Sequence, residues 1–328
     1  MRQRPDMALW QGRRDPEEGE RAKRWHQCIA PLREGSPRGI VVAGVCSDEG
    51  VRRNQGRPGA RGGPEAIRRA MANQAFHLER PLYDGGNLLC PENHLEDLAQ
   101  EQARWIEGFL HQGHFPIILG GGHEIALGNY LGLSRHLAKN NPAPSIGIVN
   151  FDAHFDLRQG QAPTSGTPFR QVAEYCWKED LPFLYFCLGI SETANTAALF
   201  DRAEALGVQY LKDEELTPWN LALAEARLRE FLTECDALYL SIDLDVLPGA
   251  VAPGVSAPAI RGVSLEVLEH LLRFLRSEAG AKLKLADLAE CNPEDDPDGR
   301  TARVAARLAH LLAREVPAPV PDKGVEYE

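Results

Sequence analysis

Three metal-competent side chains follow one apolar run in this sequence. Residues 145–149 (SIGIV) have the composition of a buried strand, and Asp152, His154 and Asp156 come after them at alternate positions. Where a chain stays extended, side chains two residues apart point the same way. The spacing therefore predicts that three groups able to bind a metal ion leave the end of one strand together.

Two further stretches repeat this arrangement. Asp243 and Asp245 follow the apolar run 237–240, again two residues apart. Residues 115–119 (FPIIL) lead into three glycines and then His123. Glycines permit the sharp turn that would bring this imidazole close to the other strand ends. Four aspartates and two histidines are thus predicted to lie at three strand ends.

The ligand types favour a site for two metal ions. Neutral imidazoles and carboxylates without a thiolate suit Mn²⁺ or Mg²⁺ better than a structural Zn²⁺ or an iron–sulfur cluster, and six ligands are too many for one tetrahedral ion. The alternative is that these carboxylates cap the turns or helices after each strand. Either aspartate motif alone leaves that alternative open, whereas three motifs after three strand patterns favour the metal site.

The elements that must position these groups alternate between short apolar strands and helices. Strands are predicted at residues 39–46, 115–119, 145–149, 183–189, 237–242 and 282–287. Helices are predicted at residues 64–77, 91–112, 125–137, 219–234 and 301–314. Three further helices are predicted, of which one begins at residue 169, one ends at residue 206 and one begins at residue 264. This alternation predicts a three-layer αβα fold with an open, mostly parallel central sheet. Ligand sites in such sheets lie beyond the carboxyl ends of the strands, where the metal motifs also lie.

The 328 residues are interpreted as one domain with two extensions. Residues 1–37 are rich in Arg, Glu and Pro and are expected to form an N-terminal arm, with Trp10 and Trp25 as its large apolar groups. Residues 38–315 are expected to form the single domain that carries the predicted metal site. Residues 316–328 are rich in proline and charge, and we expect a flexible C-terminal tail there.

Composition excludes several classes of partner. A net charge of −11 argues against nucleic acid or an anionic membrane, so an anionic substrate would depend on local cations, meaning the metals and a few arginines. The seven cysteines are scattered and never spaced as CxxC. Without a signal peptide or an apolar run of membrane length, this pattern favours a cytoplasmic protein with reduced thiols.

The motifs together resemble a known family. GGGHE at residues 120–124, NFDAHFD at residues 150–156 and SIDLDVLP at residues 241–248 are similar, in that order, to the three metal-binding motifs of the arginase–agmatinase (ureohydrolase) family. The resemblance extends from about Gly39 to about Leu312 and implies an arginase-like fold. Residues 44–68 and 287–303 resemble the formimidoylglutamase branch, which implies hydrolysis of N-formimino-L-glutamate to L-glutamate and formamide in histidine degradation.

The resemblance also implies a ligand set with two Mn²⁺ ions per subunit. One ion would be held by His123, Asp152, Asp156 and Asp243, and the other by Asp152, His154, Asp243 and Asp245. A hydroxide that bridges the metals would be the nucleophile. Asp156 is the candidate for general acid and base work. Glu290 matches the family's acidic residue that receives the cationic C–N group of the substrate, to which a carboxylate can make two parallel hydrogen bonds.

One position departs from arginase and agmatinase. Ser165 stands where those enzymes carry a histidine before Gly-x-Pro, a replacement that we expect of the formimidoylglutamase branch. The two carboxylates of formiminoglutamate each need a cationic or multi-donor partner. Arg158, two residues after Asp156, is the first candidate, and the further candidates for substrate contact are Asn54, Arg57, Ser165 and Asn195.

Other functions compete with this prediction. A related ureohydrolase could act on agmatine, arginine or another guanidino compound, although Arg158 argues against the cationic tail of agmatine. A non-catalytic relative could bind a partner or metabolite on the same fold. A deacylase of the same superfamily would hold a single Zn²⁺. Because relatives commonly assemble into trimers or hexamers, the resemblance implies a homo-oligomer.

Overall fold

The computed structural model describes residues 1–90 and 94–314. In this part of the chain ten strands form one sheet: β1 (Arg2–Gln3), β2 (Ala30–Pro31), β3 (Ile40–Cys46), β4 (Leu82–Leu89), β5 (Phe115–Leu119), β6 (Ile146–Phe151), β7 (Leu184–Ile190), β8 (Gln209–Lys212), β9 (Ala237–Ile242) and β10 (Leu283–Leu288). Their order is β1-β4-β3-β5-β10-β9-β6-β7-β8, and β2 also pairs with β4. β1 runs antiparallel to β4, whereas the other pairs are parallel, so the prediction of an open, mostly parallel sheet is confirmed.

Helices cover both faces of this sheet. They are α1 (Trp25–Cys28), α2 (Glu49–Arg53), α3 (Gly63–Ala72), α4 (Leu95–His111), α5 (Ile125–Ala138), α6 (Pro168–Lys178), α7 (Ala197–Ala205), α8 (Leu221–Thr233), α9 (Leu265–Ala279) and α10 (Arg300–Ala313). Buried residues of α3, α8, α9 and α10 pack on one face. Buried residues of α4, α5, α6 and α7 pack on the other, which completes the predicted three layers.

The strands are apolar along their whole length because both of their faces are covered. In β3, Ile40 and Val42 belong to one hydrophobic core, whereas Val41 and Ala43 belong to the other, and none of the four is exposed to solvent. Successive side chains of a strand point to opposite faces, so a strand between two helical layers needs apolar residues at every position. This explains why the central strands could be recognised in the sequence.

The predicted helix over residues 64–77 is too long at its C-terminal end. α3 ends at Ala72, and the residues after it pair with the N-terminal segment instead. Arg24 forms a bridge with Ala75, and the N–H of Phe76 donates to the carbonyl of Lys23 at 2.9 Å. Backbone groups that would have continued the helix therefore find partners in another part of the chain.

Residues 1–37 lie against the main body. Trp25 is fully buried and Trp10 nearly so, and β1 and β2 extend the sheet through β4. The predicted tail over residues 316–328 and the first three residues of the predicted helix 91–112 lie outside the described residues. Within the described part of the chain, no helix has both the length and the apolar composition needed to cross a membrane.

Candidate metal centre

Four neighbouring strands bring the predicted metal ligands to one edge of the sheet. β5, β10, β9 and β6 lie side by side and run parallel, so their carboxyl ends meet at the same edge. β5 leads to His123, β10 to Glu290, β9 to Asp243 and β6 to Asp152. Because these strands are far apart in the chain, the sheet order is what assembles the site.

The aspartates cap the turns after their strands and also face the histidines. Oδ1 of Asp152 accepts the N–H of His154 at 2.7 Å, and Oδ1 of Asp243 accepts the N–H of Asp245 at 2.8 Å. The Oδ2 atoms of the same two carboxylates lie 3.1 and 3.2 Å from Nδ1 of His123. The capping alternative and the metal-site prediction therefore describe different oxygens of the same side chains.

The predicted ligands form two adjacent groups that share Asp152. Ligand atoms of His123, Asp152 and Asp243 lie within 4.8 Å of one another, as do those of Asp152, His154 and Asp245. Nδ1 of His154 is 3.0 Å from Asp245 Oδ2 and 3.5 Å from Asp152 Oδ1. The structure thus brings together donors for two neighbouring ions.

Asp156 completes the first group through an unusual backbone conformation. Its φ of 51° lies in the left-handed region, which residues other than glycine rarely adopt. This conformation places Oδ2 of Asp156 3.0 Å from Nδ1 of His123. Strained residues of this kind persist where the surrounding structure holds them, and they cluster at functional sites.

Hydrogen bonds behind His123 set which ring nitrogen faces the carboxylates. The hydroxyl of Ser241 donates to Oδ1 of Asp287 at 2.8 Å, so its oxygen is left to accept from Nε2 of His123 at 2.9 Å. Asp287 is fully buried and also accepts from Asn129 Nδ2 at 2.7 Å. With its proton held on Nε2, a neutral His123 ring presents the Nδ1 lone pair to the aspartates.

Burial and crowding shift the acid–base equilibria of the whole cluster. Burial, followed by the charges of Asp245 and Asp152, raises the pKa of Asp243 well above its usual range. Burial and the charge of Asp152 raise the pKa of Asp156 to about 6. Burial alone would lower the pKa of His123, but the adjacent Asp152, Asp156 and Asp243 raise it well above 6.5. The pocket therefore stabilises positive charge among its carboxylates.

These features fit a pair of divalent cations. Nδ1 of His123 is a buried nitrogen that makes no contact of hydrogen-bond geometry with any described residue. The donor set contains oxygen and nitrogen but no sulfur, which matches Mn²⁺ or Mg²⁺. Four carboxylates around two imidazoles leave an excess of negative charge even when both rings are protonated. Two divalent ions would balance the four carboxylates and leave the rings neutral.

Glu290 lies beside this cluster with one oxygen uncommitted. Its Oε1 accepts the N–H of His123 at 2.9 Å, whereas Oε2 is buried and has no hydrogen-bond partner in the described part of the chain. Burial, followed by the charge of Glu124, raises the pKa of Glu290 to about 8. Like Asp156, Glu290 has a positive φ, here 65°. A buried carboxylate in this state is suited to a cationic partner.

A cavity of about 310 Å³ opens over the ligands and Glu290. Five of the six residues predicted to contact substrate line this cavity, namely Asn54, Arg57, Arg158, Ser165 and Glu290. Asn195 is not among its lining residues. The amide of Asn195 instead accepts from the N–H of Phe155 at 3.1 Å and donates to the carbonyl of Ala153 at 2.8 Å, so it holds the turn that carries the ligands of β6.

The two arginines of the cavity are in different states. Within the described residues, no hydrogen bond or ion pair engages the exposed guanidinium of Arg158. The guanidinium of Arg57 is occupied, since it donates to the carbonyl of Ser256 at 3.1 Å and pairs with Asp295 at 3.0 Å. Asn54 Nδ2 donates to Ser165 Oγ at 3.3 Å. Among the described residues, this cavity thus presents the unpaired guanidinium of Arg158 and the unpaired Oε2 of Glu290 to a bound molecule.

Sequence reasoning missed the residues that support the site. Ser241 and Asp287 lie inside apolar strands, and a polar residue in such a run was the available signal. Gln55 lines the cavity and has a φ of 61°, which no local pattern predicts. Glu124 belongs to the GGGHE motif but was not given a role of its own.

Comparison with known proteins agrees with this geometry. Residues 38–313 match the model of the arginase family. The chain is 53% identical over 312 residues to formimidoylglutamase of Aeromonas hydrophila subsp. hydrophila, an alignment that covers 94% of this chain and 98% of the relative. It is also 49% identical over 311 residues to formimidoylglutamase of Chromobacterium violaceum, with 95% of this chain and 99% of the relative covered.

A solved structure shows the same fold. The crystal structure of formimidoylglutamase from Bacillus subtilis superposes with a TM-score of 0.81 at 23% identity and covers 94% of this chain and 96% of its own. Both the matched family model and the relatives extend over almost all of the sequence, including each strand end that carries a predicted ligand. The chain therefore belongs to the arginase family.

Proposed function

We propose that this chain is a manganese-dependent formimidoylglutamase, a hydrolase of linear amidine C–N bonds that converts N-formimino-L-glutamate and water into L-glutamate and formamide. The observation that carries this proposal is one cavity with three complementary features: a cluster of metal ligands, the free oxygen of Glu290 and the free guanidinium of Arg158. Formiminoglutamate has an amidine at one end and carboxylates at the other, so it matches both charges. Curated relatives about half identical to this chain bear the same enzyme name.

The proposed metal ligands divide into two sets. His123, Asp152, Asp156 and Asp243 hold one Mn²⁺ ion, and Asp152, His154, Asp243 and Asp245 hold the other. The crystal structure of Trypanosoma cruzi formiminoglutamase with two Mn²⁺ ions, which has a TM-score of 0.73 at 24% identity and covers 89% of this chain and 98% of its own, supports this choice of metal. When bound, two such ions supply water ionised near neutral pH as the nucleophile.

The side chains of the cavity orient and protonate the substrate. Glu290 binds the cationic amidinium through its uncommitted Oε2, which fixes the electron-poor carbon over the metal ligands. An alkylamine leaves poorly as an anion, so the departing nitrogen of glutamate must receive a proton. Asp156 takes up the proton that the attacking water loses and delivers it to that nitrogen as the bond between this nitrogen and the amidine carbon breaks.

The glutamate end of the substrate is bound by the cationic and polar side chains that line the same cavity. Arg158 binds a substrate carboxylate with its free guanidinium, while Asn54 and Ser165 offer a polar surface beside it. For Arg57 and Asn195, direct substrate contact stays a prediction, against which their present hydrogen bonds count. Assembly into a homo-oligomer, a cytoplasmic location and the division into arm, domain and tail also stay predictions.

Product formation tests the proposal. Mn²⁺-loaded protein is given N-formimino-L-glutamate, agmatine and L-arginine in parallel, and formamide and urea are assayed separately. We expect formamide from the first substrate and no urea from the other two. Urea from either guanidine without formamide would contradict the substrate assignment and indicate another ureohydrolase, and no product from any substrate would support a non-catalytic relative.

A further inference from the structure

Glu124 is a buried carboxylate that the proposed reaction does not use. It follows the metal ligand His123 directly and is only 8% exposed. Its Oε1 accepts two hydrogen bonds, one from the hydroxyl of Ser47 at 2.7 Å and one from the N–H of Gly50 at 3.0 Å. Both donors belong to residues 47–57, which include the short helix α2 and which we call the cavity loop. A single carboxylate oxygen therefore joins the end of β5 to this loop.

The backbone around Glu124 is shaped to fit its side chain. A Cβ atom on Gly50 would lie 2.3 Å from Oε2 of Glu124, and one on Gly122 would lie 2.1 Å from the same oxygen. Contacts this short do not occur at real Cβ atoms, so a larger residue at either position would require the Glu124 side chain to move. The N–H of Gly122 also donates to the carbonyl of Ser47 at 2.9 Å. The cavity loop and the segment after β5 therefore both pack closely against the carboxylate of Glu124.

A short series of hydrogen bonds leads from Glu124 to the substrate cavity. Gly50 donates its N–H to Glu124 and accepts the N–H of Asn54 on its carbonyl at 2.9 Å. Asn54 and the next residue, Gln55, line the cavity, and Asn54 Nδ2 reaches Ser165 Oγ at 3.3 Å. The position of Asn54 in the cavity wall therefore depends on the position of Gly50, which the hydrogen bond to Glu124 fixes.

We infer that Glu124 is a positioning residue that fixes the cavity loop relative to the metal ligand His123, and that it thereby sets the affinity for the carboxylate end of the substrate. This inference rests on the proposed function for the identity of the substrate. A misplacement of about 1 Å in a positioning group can cost up to about 10²-fold in rate or affinity. The role needs a hydrogen-bond acceptor at Oε1 and not a negative charge.

Two substitutions separate the acceptor from the charge. Glu124→Gln keeps a carbonyl oxygen that can accept from both Ser47 and Gly50, whereas Glu124→Ala removes it. In Mn²⁺-loaded protein, Glu124→Ala should raise KM for N-formimino-L-glutamate roughly tenfold and change kcat less than about threefold. Glu124→Gln should stay within about threefold of the wild type in both constants. Glu65→Ala, at an exposed surface ion pair, is the matched control.

A second substitution covers the case in which Glu124→Ala does not fold. Ser47→Ala deletes one of the two donors and leaves Glu124 in place, so its KM should rise in the same direction by a smaller factor. Metal content should remain at two Mn²⁺ ions per chain in the folded variants. Loss of metal in Glu124→Ala would overturn the inference, because the residue would then support the metals. Equal impairment of the Gln and Ala variants would also overturn it, because the residue would then act through its charge.

Hydrogen exchange tests the positioning role without any substrate. Amides of the cavity loop, above all those of Gly50 and Asn54, should exchange faster in Glu124→Ala than in the wild type and in Glu124→Gln, with Mn²⁺ present in all samples. Unchanged exchange in Glu124→Ala would overturn the inference. If the wild type released no formamide, the proposed function would fail, and this measurement would still decide whether Glu124 holds the loop.

Discussion

Two buried charged clusters lie on the same sheet, and they differ in whether the protein neutralises them. Near β4, Arg68 and Asp84 are each 1% exposed and form an ion pair with distances of 2.9 and 3.1 Å. The remaining N–H groups of Arg68 reach the carbonyls of Pro64 and Gly86 and the side chain of Asn87. Every donor of this guanidinium has an acceptor within the chain.

The metal centre has the opposite character. Its carboxylates outnumber its imidazoles, and in the described part of the chain neither Nδ1 of His123 nor Oε2 of Glu290 has a hydrogen-bond partner. Isolated charges are costly in a protein interior unless they are paired. A buried cluster that its own chain completes needs no ligand, whereas a cluster left incomplete is a place for ligands, here two cations and a cationic substrate group.

The largest effect should come from the shared ligand of the incomplete cluster. Asp152→Asn keeps an oxygen to accept the N–H of His154 but removes a negative charge from both ligand groups. We expect weaker Mn²⁺ binding and a fall in kcat/KM of roughly 10³-fold or more. Metal content and steady-state rates measure these effects. Unchanged metal content would contradict the assignment of this cluster as a metal site, since the cluster would then not need the charge of Asp152.

Disruption of the complete cluster should affect stability instead of metal binding. Arg68→Met leaves Asp84 as a buried charge without its ion-pair partner, which typically costs about 3–5 kcal/mol. Urea unfolding of the Mn²⁺-loaded protein measures this loss. Arg69→Met is the matched control, because Arg69 pairs with Glu65 at the surface and should contribute less than about 1 kcal/mol. A folded Arg68→Met protein without bound Mn²⁺ would contradict the separation of roles.

Arg158 tests whether the cavity is incomplete toward substrate as well as toward metal. Arg158→Ala removes the free cation of the cavity, so KM for N-formimino-L-glutamate should rise roughly 10- to 100-fold while kcat changes less. Arg158→Lys should recover part of the loss, since it restores the charge without the planar fork. Arg61→Ala, at an exposed position between α2 and α3, should leave both constants unchanged. If Arg61→Ala raised KM as much as Arg158→Ala, Arg158 would act only through long-range electrostatic attraction of the anionic substrate and not through a direct contact.

The smallest effect concerns acid sensitivity that belongs to neither cluster. Burial, then the charge of His77, lowers the pKa of His310 below its unfolded value of 6.5. Below pH 6.5 the native state therefore binds fewer protons than the unfolded state. The contribution of neutral His310 to the free energy of unfolding is complete above pH 6.5 and is lost as the pH falls below that value. Stability between pH 7.5 and 5.5 should fall slightly less steeply in His310→Gln than in the wild type. Equal slopes would assign the acid sensitivity to other groups.

The positions of the ligands could be predicted because they follow the ends of apolar runs. Buried parallel strands need apolar residues throughout, so Asp152 after β6 and Asp243 after β9 stand out from the sequence itself. The order of the strands could not be predicted in this way. β10 lies between β5 and β9, and no local pattern places Glu290 beside His123.

Other features depend on partners that are distant in the chain. β4 was missed because its centre reads Asp-Gly-Gly-Asn, which is typical of a turn, and its burial depends on the pairing of Asp84 with Arg68. The left-handed conformations of Asp156 and Glu290 are imposed by the assembled site. The engagement of Arg57 by Ser256 likewise exists only in the folded protein.

The central claim is that the incomplete cluster is a site for two metal ions, and a direct count of bound metal tests it. Protein freed of metal with a chelator is titrated with Mn²⁺ in a calorimeter, and bound manganese is then determined by elemental analysis. We expect two ions per chain in the wild type and in Arg68→Met, with fewer in Asp152→Asn. One zinc ion in place of two manganese ions, or equal binding by Asp152→Asn and the wild type, would contradict the two-metal site.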